Sequence, residues 1–434
     1  MQPIKKAIIS ILTLESRLIL RKYRPFIVAV TGSVGKTSTK DAIFSVFKGQ
    51  GGYVRKSEKN MNSDIGLPLT IIGVPNAWRS PSAWLKNIRA GLRLILSKNE
   101  YPDCLILEVG ADHPGDISRT VRWLKPDIAV ITKVSQTPVH VEFFKSPEDV
   151  FKEKASLAEG VKAGGTVILF ADDAKVMSIA DMVKAKQSRI ATFGTAEGST
   201  VKGSGFETAY DEQGRPKGIA FGMQMGSTSL RASVDGILGR TFMYPLLTAA
   251  AAAQARGIDA EKIAEGINSY EAPRGRMNII EGANGSMIID DTYNSSPDAA
   301  EAALETIKSL RCAGSKIAVL GDMMELGKFS AEEHRKIGAV AASSVDRLVT
   351  VGPRSRATAE EAGKKGLSQA MIASFDSADE AASFLKPLVG PGDTILVKGS
   401  QSVRMERVVK ALMRSPEDAE KLLVRQEPEW LSRA

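Results

Sequence analysis

Lys36 and Thr37 are the residues of this chain with the clearest chemistry. They close the run Val28-Ala29-Val30-Thr31-Gly32-Ser33-Val34-Gly35-Lys36-Thr37-Ser38. A β-branched apolar stretch ends there at a glycine loop, and Lys40 to Val46 carry a helical pattern. Strand, glycine loop and helix N-terminus together make an anion site. Backbone N–H groups converge there, and the helix dipole adds positive potential. In such a loop the lysine reaches the β- and γ-phosphates of a nucleotide and the threonine hydroxyl holds Mg²⁺. The spacing is Thr-Gly-x-x-Gly-Lys-Thr-Ser, with Val30 where the broader nucleotide pattern has its first glycine. The expected phosphate-binding residues are Gly32, Ser33, Val34, Gly35, Lys36, Thr37 and Ser38.

Further along, Glu108 closes an apolar strand and precedes Val109-Gly110-Ala111-Asp112-His113-Pro114-Gly115. Ligands of open α/β sheets sit at the carboxyl ends of strands. A carboxylate there, beside a phosphate loop, is placed to hold Mg²⁺. His140 follows the strand Ile128–Thr132 and a loop containing Pro138. A lone histidine is more often structural than a ligand, yet its place beyond a strand of the same sheet suits a metal or phosphate. His113 reads as a loop residue. Lys154 lies in the helical stretch Phe151–Leu157 and by spacing alone is one solvated lysine among several. Asp290-Asp291-Thr292-Tyr293-Asn294 ends a later strand, where paired acids accept from ribose hydroxyls or cap the following helix. Lys398-Gly399-Ser400 ends another strand that can face the same cleft.

The elements that must position these residues form an α/β pattern. Strand-like runs at Phe26–Val30, Cys104–Val109, Ile128–Thr132 and Thr166–Phe170 alternate with helical stretches, which implies a parallel sheet. Between about 195 and 235 short alternating runs with turns read as antiparallel hairpins. Helices follow at Leu246–Arg256 and Ala260–Ser269. Ala272-Pro273-Arg274-Gly275-Arg276 breaks the helical pattern and is the best domain boundary. Alternation then restarts, with strands at Ser286–Asp290, Lys316–Leu320, Arg347–Val351 and Asp393–Val397 and helices at Pro297–Leu310 and Ala331–Ala342.

At 434 residues the chain has room for two or three domains. Its net charge of +8 is spread along the sequence and aromatics are only 6%. That argues against a stacking groove for nucleic acid and for polyanionic small molecules. Cys104 and Cys312 are too few for a disulfide framework or a thiolate cage, which fits a reduced, cytoplasmic chain. No stretch reads as a cleaved signal. The apolar run Ile4–Leu20 is interrupted by Glu15 and Arg17 and flanked by lysines and arginines, too short and too charged to span a bilayer. It reads first as a helix docked on the protein and second as a basic helix in peripheral contact with a membrane.

Taken in order along the chain, these motifs resemble the Mur ligase superfamily, most closely its MurF type. The resemblance runs from about Pro25 to Val409. It rests on the Thr31–Ser38 loop, Asn60-Met61-Asn62-Ser63-Asp64-Ile65-Gly66-Leu67-Pro68, the Glu108–Gly115 segment, Gly275-Arg276, Asp290–Asn294, Leu320–Gly327 with His334, and Val397–Ser400 with Met405-Glu406. After the basic helix over 1–24, it implies an ATP-binding P-loop central domain with a parallel sheet over 25–272 and a Rossmann-like doubly wound C-terminal domain over 273–414. Residues 415–434 would be a surface extension. By position, Lys36 would bind the γ-phosphate and Thr37 a Mg²⁺ ion. Glu108 and His140 would hold a second Mg²⁺, supported by a carbamylated Lys154. Arg276 and Asp291 would reach the ATP phosphates and ribose.

The implied activity is ATP-dependent amide bond formation through an acyl phosphate. It would add D-alanyl-D-alanine to a UDP-muramoyl tripeptide in peptidoglycan precursor synthesis, and hence serve cell-wall biogenesis, shape and division. The implied enzyme is a monomer acting on peptide and nucleotide-sugar substrates. Only 24 residues precede Pro25, where MurF-type enzymes carry a domain that grips the UDP-sugar. The superfamily's Gly-x-His-Asn-x-x-Asn reads Gly239-Arg240-Thr241-Phe242-Met243-Tyr244-Pro245 here, so adenine contacts must differ. The usual Thr-Asn after the third sheet strand reads Thr132-Lys133, and the usual Asn-Pro reads Ser296-Pro297. These departures leave two alternatives: a superfamily ligase with another acid and amine, such as a polyglutamate or dipeptide ligase, or a weakly active nucleotide-dependent scaffold.

Overall fold

The structure, a computed structural model, describes residues 2–58, 61–78, 80–135, 141–184 and 187–432. Six strands form a parallel layer: β1 (Phe26–Thr31), β2 (Val54–Lys56), β3 (Cys104–Glu108), β4 (Ile128–Ile131), β5 (Thr166–Phe170) and β6 (Arg189–Gly194). Their order is β2-β3-β1-β4-β5-β6. β3, β4 and β5 are buried along their whole length. This is why they read as continuous apolar runs: helices cover both faces of a parallel sheet. β7 (Val201–Tyr210), β8 (Pro216–Met225) and β9 (Thr228–Asp235) extend the same sheet, and the β7-β8 and β8-β9 pairs are antiparallel. In β9 only Ala232 and Val234 are buried, the alternation of a strand with one wet face.

Six helices complete the part of this layer that bears on the site: α1 (Gln2–Tyr23), α2 (Lys36–Lys48), α3 (Gly66–Ile72), α4 (Pro81–Leu96), α5 (Asp116–Leu124) and α6 (Pro147–Glu159). The helix Met243–Ala255 packs on α2. Its buried run Ala249–Ala253 has no side chain longer than a methyl, which lets the two backbones approach.

The second domain opens with β10 (Asn278–Glu281), a four-residue strand not evident in the sequence, antiparallel to β11 (Met287–Asp291). With β12 (Lys316–Gly321), β13 (Arg347–Val351), β14 (Ile372–Phe375) and β15 (Thr394–Lys398) the order is β10-β11-β15-β12-β13-β14, parallel from β11 onward. The expected doubly wound sheet is there, with an antiparallel edge.

The expectation of a surface extension at 415–434 is corrected. Leu423 is fully buried and Arg425 nearly so. Arg425 donates to Glu406 Oε2 at 2.9 Å, to the Thr292 carbonyl at 3.1 Å and to the Tyr293 carbonyl. A buried guanidinium with a carboxylate and two carbonyls is held against the domain by charge-assisted bonds. The tail therefore returns to the loop that follows β11.

α1 docks on α3 and α4 through Leu12 and Ile19, both fully buried. Glu15 is buried with them, 3% exposed, its carboxylate against Gly91 of α4 and both oxygens without a hydrogen-bond partner among the described residues. Burial raises its pKa from 4.5 to about 7. The folded pKa lies above the unfolded one, so the unfolded chain releases this proton first. Stability falls as pH rises from 4.5 to about 7 and stays low above that. Glu15→Gln is expected to remove this pH dependence and to raise stability at pH 8 by about 1–2 kcal/mol. A melting temperature at pH 8 equal to that of the unsubstituted chain would refute it.

Candidate active site

Strand register sets the site. Val30 of β1 pairs with Glu108 on one side and Val130 on the other, so three strands end at one level. The glycine loop leaves β1 at that level. A Cβ at Gly32 would stand 1.9 Å from Thr132 Oγ1, so this position admits no side chain. Gly35 takes φ 84° at the N-cap of α2, a left-handed conformation that suits glycine. Thr132, expected at the end of β4, hydrogen-bonds the Val34 carbonyl at 2.7 Å, and Ser33 N–H donates to the Lys133 carbonyl at 2.8 Å. Lys133, standing where the superfamily has asparagine, instead forms a 2.6 Å ion pair with Asp298 of the second domain.

Thr37 and Glu108 meet as expected: Thr37 Oγ1 donates to Glu108 Oε2 at 2.9 Å. Asn62 Nδ2 donates to Glu108 Oε1 at 3.2 Å, and the Asn62 backbone carbonyl accepts from the Gly110 N–H at 2.9 Å. The asparagine-rich segment thus clamps the carboxylate from the side opposite the phosphate loop. Two hard oxygen donors side by side suit Mg²⁺. Among the described residues no group of three or more His, Cys, Asp or Glu side chains is placed to hold a metal. His140 lies outside the described residues.

Lys36 folds back on its own loop, donating to the Gly32 carbonyl at 3.0 Å. Burial lowers its pKa, the carboxylate of Glu108 opposes that, and the charge of Arg276 adds to it. Lys154 corrects the spacing-based reading of a solvated lysine. It is 4% exposed on the inner face of α6, and Nζ donates to the same Gly32 carbonyl at 3.0 Å. Burial, and then the charge of Lys36, bring its pKa down to about 7. Two amines share one carbonyl, so both cannot be charged there without mutual repulsion.

The second domain faces this loop across a cleft of about 720 Å³. Its rim comes from the carboxyl ends of β11, β12 and β15, level because Asp291 and Leu320 both pair with Lys398. The cleft is lined by Ser33 to Ser38, Asn62, Glu108, Asp112, Arg276, the segment Tyr293–Ser296, Met324, Gln401, Arg404 and Trp430. Arg276 stacks on Tyr293, 4.2 Å from its ring centre, while its Nε has no partner among the described residues. Ser33 Oγ is a second buried polar atom without one. Both lie in the cleft, and a phosphate oxygen would satisfy each.

Asp291, expected at the ribose, is not among the cleft-lining residues. Its carboxylate is buried and takes a 2.6 Å ion pair from Lys398, which also donates to the Asn294 carbonyl at 2.9 Å. The pair holds the turn that presents Tyr293 and Asn294. His334 is also internal. Its Nε2 accepts from the Met323 N–H at 3.0 Å, and Nδ1 lies 2.7 Å from the Ser330 carbonyl, which can only accept, so the proton sits on Nδ1. It anchors the loop that carries Met324. Trp430 was not foreseen; its one sequence signal is an isolated tryptophan in a charged tail.

Comparison with known proteins accounts for nearly the whole chain. Residues 30–253 match the Mur ligase middle domain, and residues 275–401 match the Mur ligase, glutamate ligase domain. UDP-N-acetylmuramoyl-tripeptide–D-alanyl-D-alanine ligase of Bacillus subtilis is 29% identical over 394 residues, covering 90% of this chain and 76% of that one. Its counterpart from Mycobacterium leprae is 30% identical over 408 residues, covering 89% and 73%. The crystal structure of MurF ligase from Thermotoga maritima in complex with ADP superposes with a TM-score of 0.75 at 25% identity, covering 95% of this chain and 84% of that one. With both family models matched in order and relatives covering nearly all of it, the chain belongs to the Mur ligase family.

Proposed function

We propose that this chain is an ATP-dependent peptide ligase of the MurF kind, joining D-alanyl-D-alanine to a UDP-muramoyl tripeptide. The observation that carries this reading is the opposition of Lys36, Thr37 and Glu108 to Arg276 across one cleft. Its family resemblance gives the substrates. A carboxylate is a poor acyl donor, so its oxygen first takes the γ-phosphoryl group of ATP and ADP leaves. The amine then attacks the acyl carbon, phosphate leaves with the C–O electrons, and the amine loses a proton.

Negative charge builds on phosphoryl and carbonyl oxygens in both steps. Lys36 turns from the Gly32 carbonyl to the phosphates, and Arg276 approaches from the second domain. Thr37 would hold one Mg²⁺ ion, and Glu108 a second, with His140 as the ligand that the family resemblance adds. The ions supply charge neutralisation when bound. Cleft closure excludes the water that would hydrolyse the acyl phosphate. Lys154 carries a carbamate in this reading. Its neutral amine adds to CO₂, one C–N bond forms and one proton is lost. The product is an anion beside Lys36 where the free amine would compete with it.

The test is ADP release with Mg²⁺-ATP, UDP-muramoyl tripeptide and D-alanyl-D-alanine, with mass detection of the joined product. Product that requires all three supports the proposal. Turnover only with other acid and amine pairs would make the chain another kind of Mur ligase. No turnover with any pair would leave the scaffold reading.

We infer a second and separable property, peripheral membrane contact through α1, supported by exposed Ile11, Leu14 and Leu18 among basic residues.

A further inference from the structure

α1 is not alone in presenting apolar side chains to solvent. Leu85, Leu92 and Leu96 of α4 are exposed as well, Leu96 by 80%, against 57% for Leu14 of α1. In each helix the spacing is three, four or seven residues, so each set forms one stripe. The two helices meet along a seam. Glu15 lies against Gly91, and Lys22 Nζ donates to the Leu94 carbonyl at 2.8 Å and the Ile95 carbonyl at 3.0 Å. At about 100° per residue, Ile11, Leu14 and Leu18 sit within about a third of a turn of Glu15. They are on the side away from Ser16, which meets the Pro68 carbonyl of α3. Leu85, Leu92 and Leu96 sit about 100–140° from Gly91, on the side away from Asn87, which reaches the Pro75 carbonyl. Both stripes therefore flank one seam on its solvent side.

The exposed charges carried by these two helices have a single sign. The exposed basic residues of the two helices are Lys5, Lys6, Arg17, Arg21 and Lys22 on α1 and Lys86, Arg89 and Arg93 on α4. The only carboxylate in either helix is Glu15, and it is buried. Neither helix is long and apolar enough to cross a bilayer.

We propose that α1 and α4 together form a docking face for an anionic lipid surface. Aliphatic side chains along the seam enter the acyl boundary, and the flanking lysines and arginines reach headgroup phosphates. The stripes are aliphatic with no Tyr or Trp among them, whereas protein-binding hot spots favour those aromatics. This extends the contact inferred for α1 from one helix to a two-helix face, and it does not depend on which reaction the cleft performs.

The test is sedimentation of the full chain with phosphatidylcholine vesicles, with and without phosphatidylglycerol, at low and high salt. Binding is expected at least tenfold stronger with phosphatidylglycerol and weaker in high salt. Leu14→Glu/Leu18→Glu and Leu92→Glu/Leu96→Glu are each expected to lower it at least tenfold. All four residues are exposed, so melting temperatures should match the unsubstituted chain. Loss with the α1 pair alone would leave a one-helix contact and overturn the two-helix face. Equal binding to neutral vesicles would overturn the anionic preference. No binding, or sedimentation without vesicles, would overturn both membrane proposals and point to a protein partner or a second copy. Ligation in vesicle-free buffer is unaffected in every case, which separates this proposal from the catalytic one.

Discussion

Lys36→Ala is expected to lower the rate of ADP release by about 10²–10³-fold, the effect of removing one preorganised donor from a developing oxyanion. Melting temperature should barely change, because Lys36 is only half-buried and its hydrogen bonds are to its own loop, at the Gly32 and Ser33 carbonyls. Glu108, the carboxylate that acts most strongly on the ammonium, is already engaged by Thr37 and Asn62. It is therefore free to leave the Gly32 carbonyl for a phosphate. Lys36→Arg should not restore activity: a planar guanidinium has a different reach and donor geometry from a compact ammonium. The measurement is product formation followed by mass, with melting curves on the same preparations. A Lys36→Ala variant that ligates at the unsubstituted rate would remove the glycine loop from the chemistry.

Lys154→Ala has the second large effect, an expected loss of about 10²-fold, partly restored by added acetate or propionate. The reason lies in the pKa of about 7. An ordinary lysine is almost fully charged at neutral pH and reacts poorly with CO₂. Lys154 is about half neutral at pH 7 and has a lone pair to donate. Carbamate formation, and activity with it, should rise with pH through about 7 and with added bicarbonate. Below that range CO₂-free enzyme should lose activity and regain it when bicarbonate is supplied at pH 8. Isotope-labelled bicarbonate should give a carbamate signal in the unsubstituted protein and none in Lys154→Ala. Equal activity of the two proteins with no supplement would reject a carbamate at this position. If Lys154 only supports the loop, the variant would lose stability and carboxylates would not rescue it.

Features that depend on neighbours in sequence were legible without coordinates. The run from Val28 to Ser38 carries strand, loop and helix start in one stretch, and β1, the loop and α2 lie where that pattern puts them. Glu108 was found for the same reason, as the polar residue at the end of an apolar run. Strands Thr166–Phe170 and Arg347–Val351 have the expected bounds, because a parallel strand buried on both faces is apolar throughout. β2, β6, β10 and β14 escaped notice; three of them have only three or four residues, too few side chains to show a period.

Lys154 and Trp430 mark the other kind of information. The residues around Lys154 give no sign that it is buried. Only the packing of α6 under the glycine loop puts its amine on Gly32, 122 positions away. Arg425 and Trp430 look like part of a charged tail until Glu406 and the Thr292 carbonyl provide a buried partner for the guanidinium. Asp291 was placed at the ribose by its position in the motif; the pairing of β11 with β15 sets its carboxylate against Lys398. Local order and hydrophobic period, written along the chain, were enough for the nucleotide loop, the alternating α/β architecture and the family. Burial, charge pairing and which strand ends share one level depend on contacts between residues far apart in sequence. Folding alone decided the low pKa of Lys154, the return of the tail and the shared seam of α1 and α4.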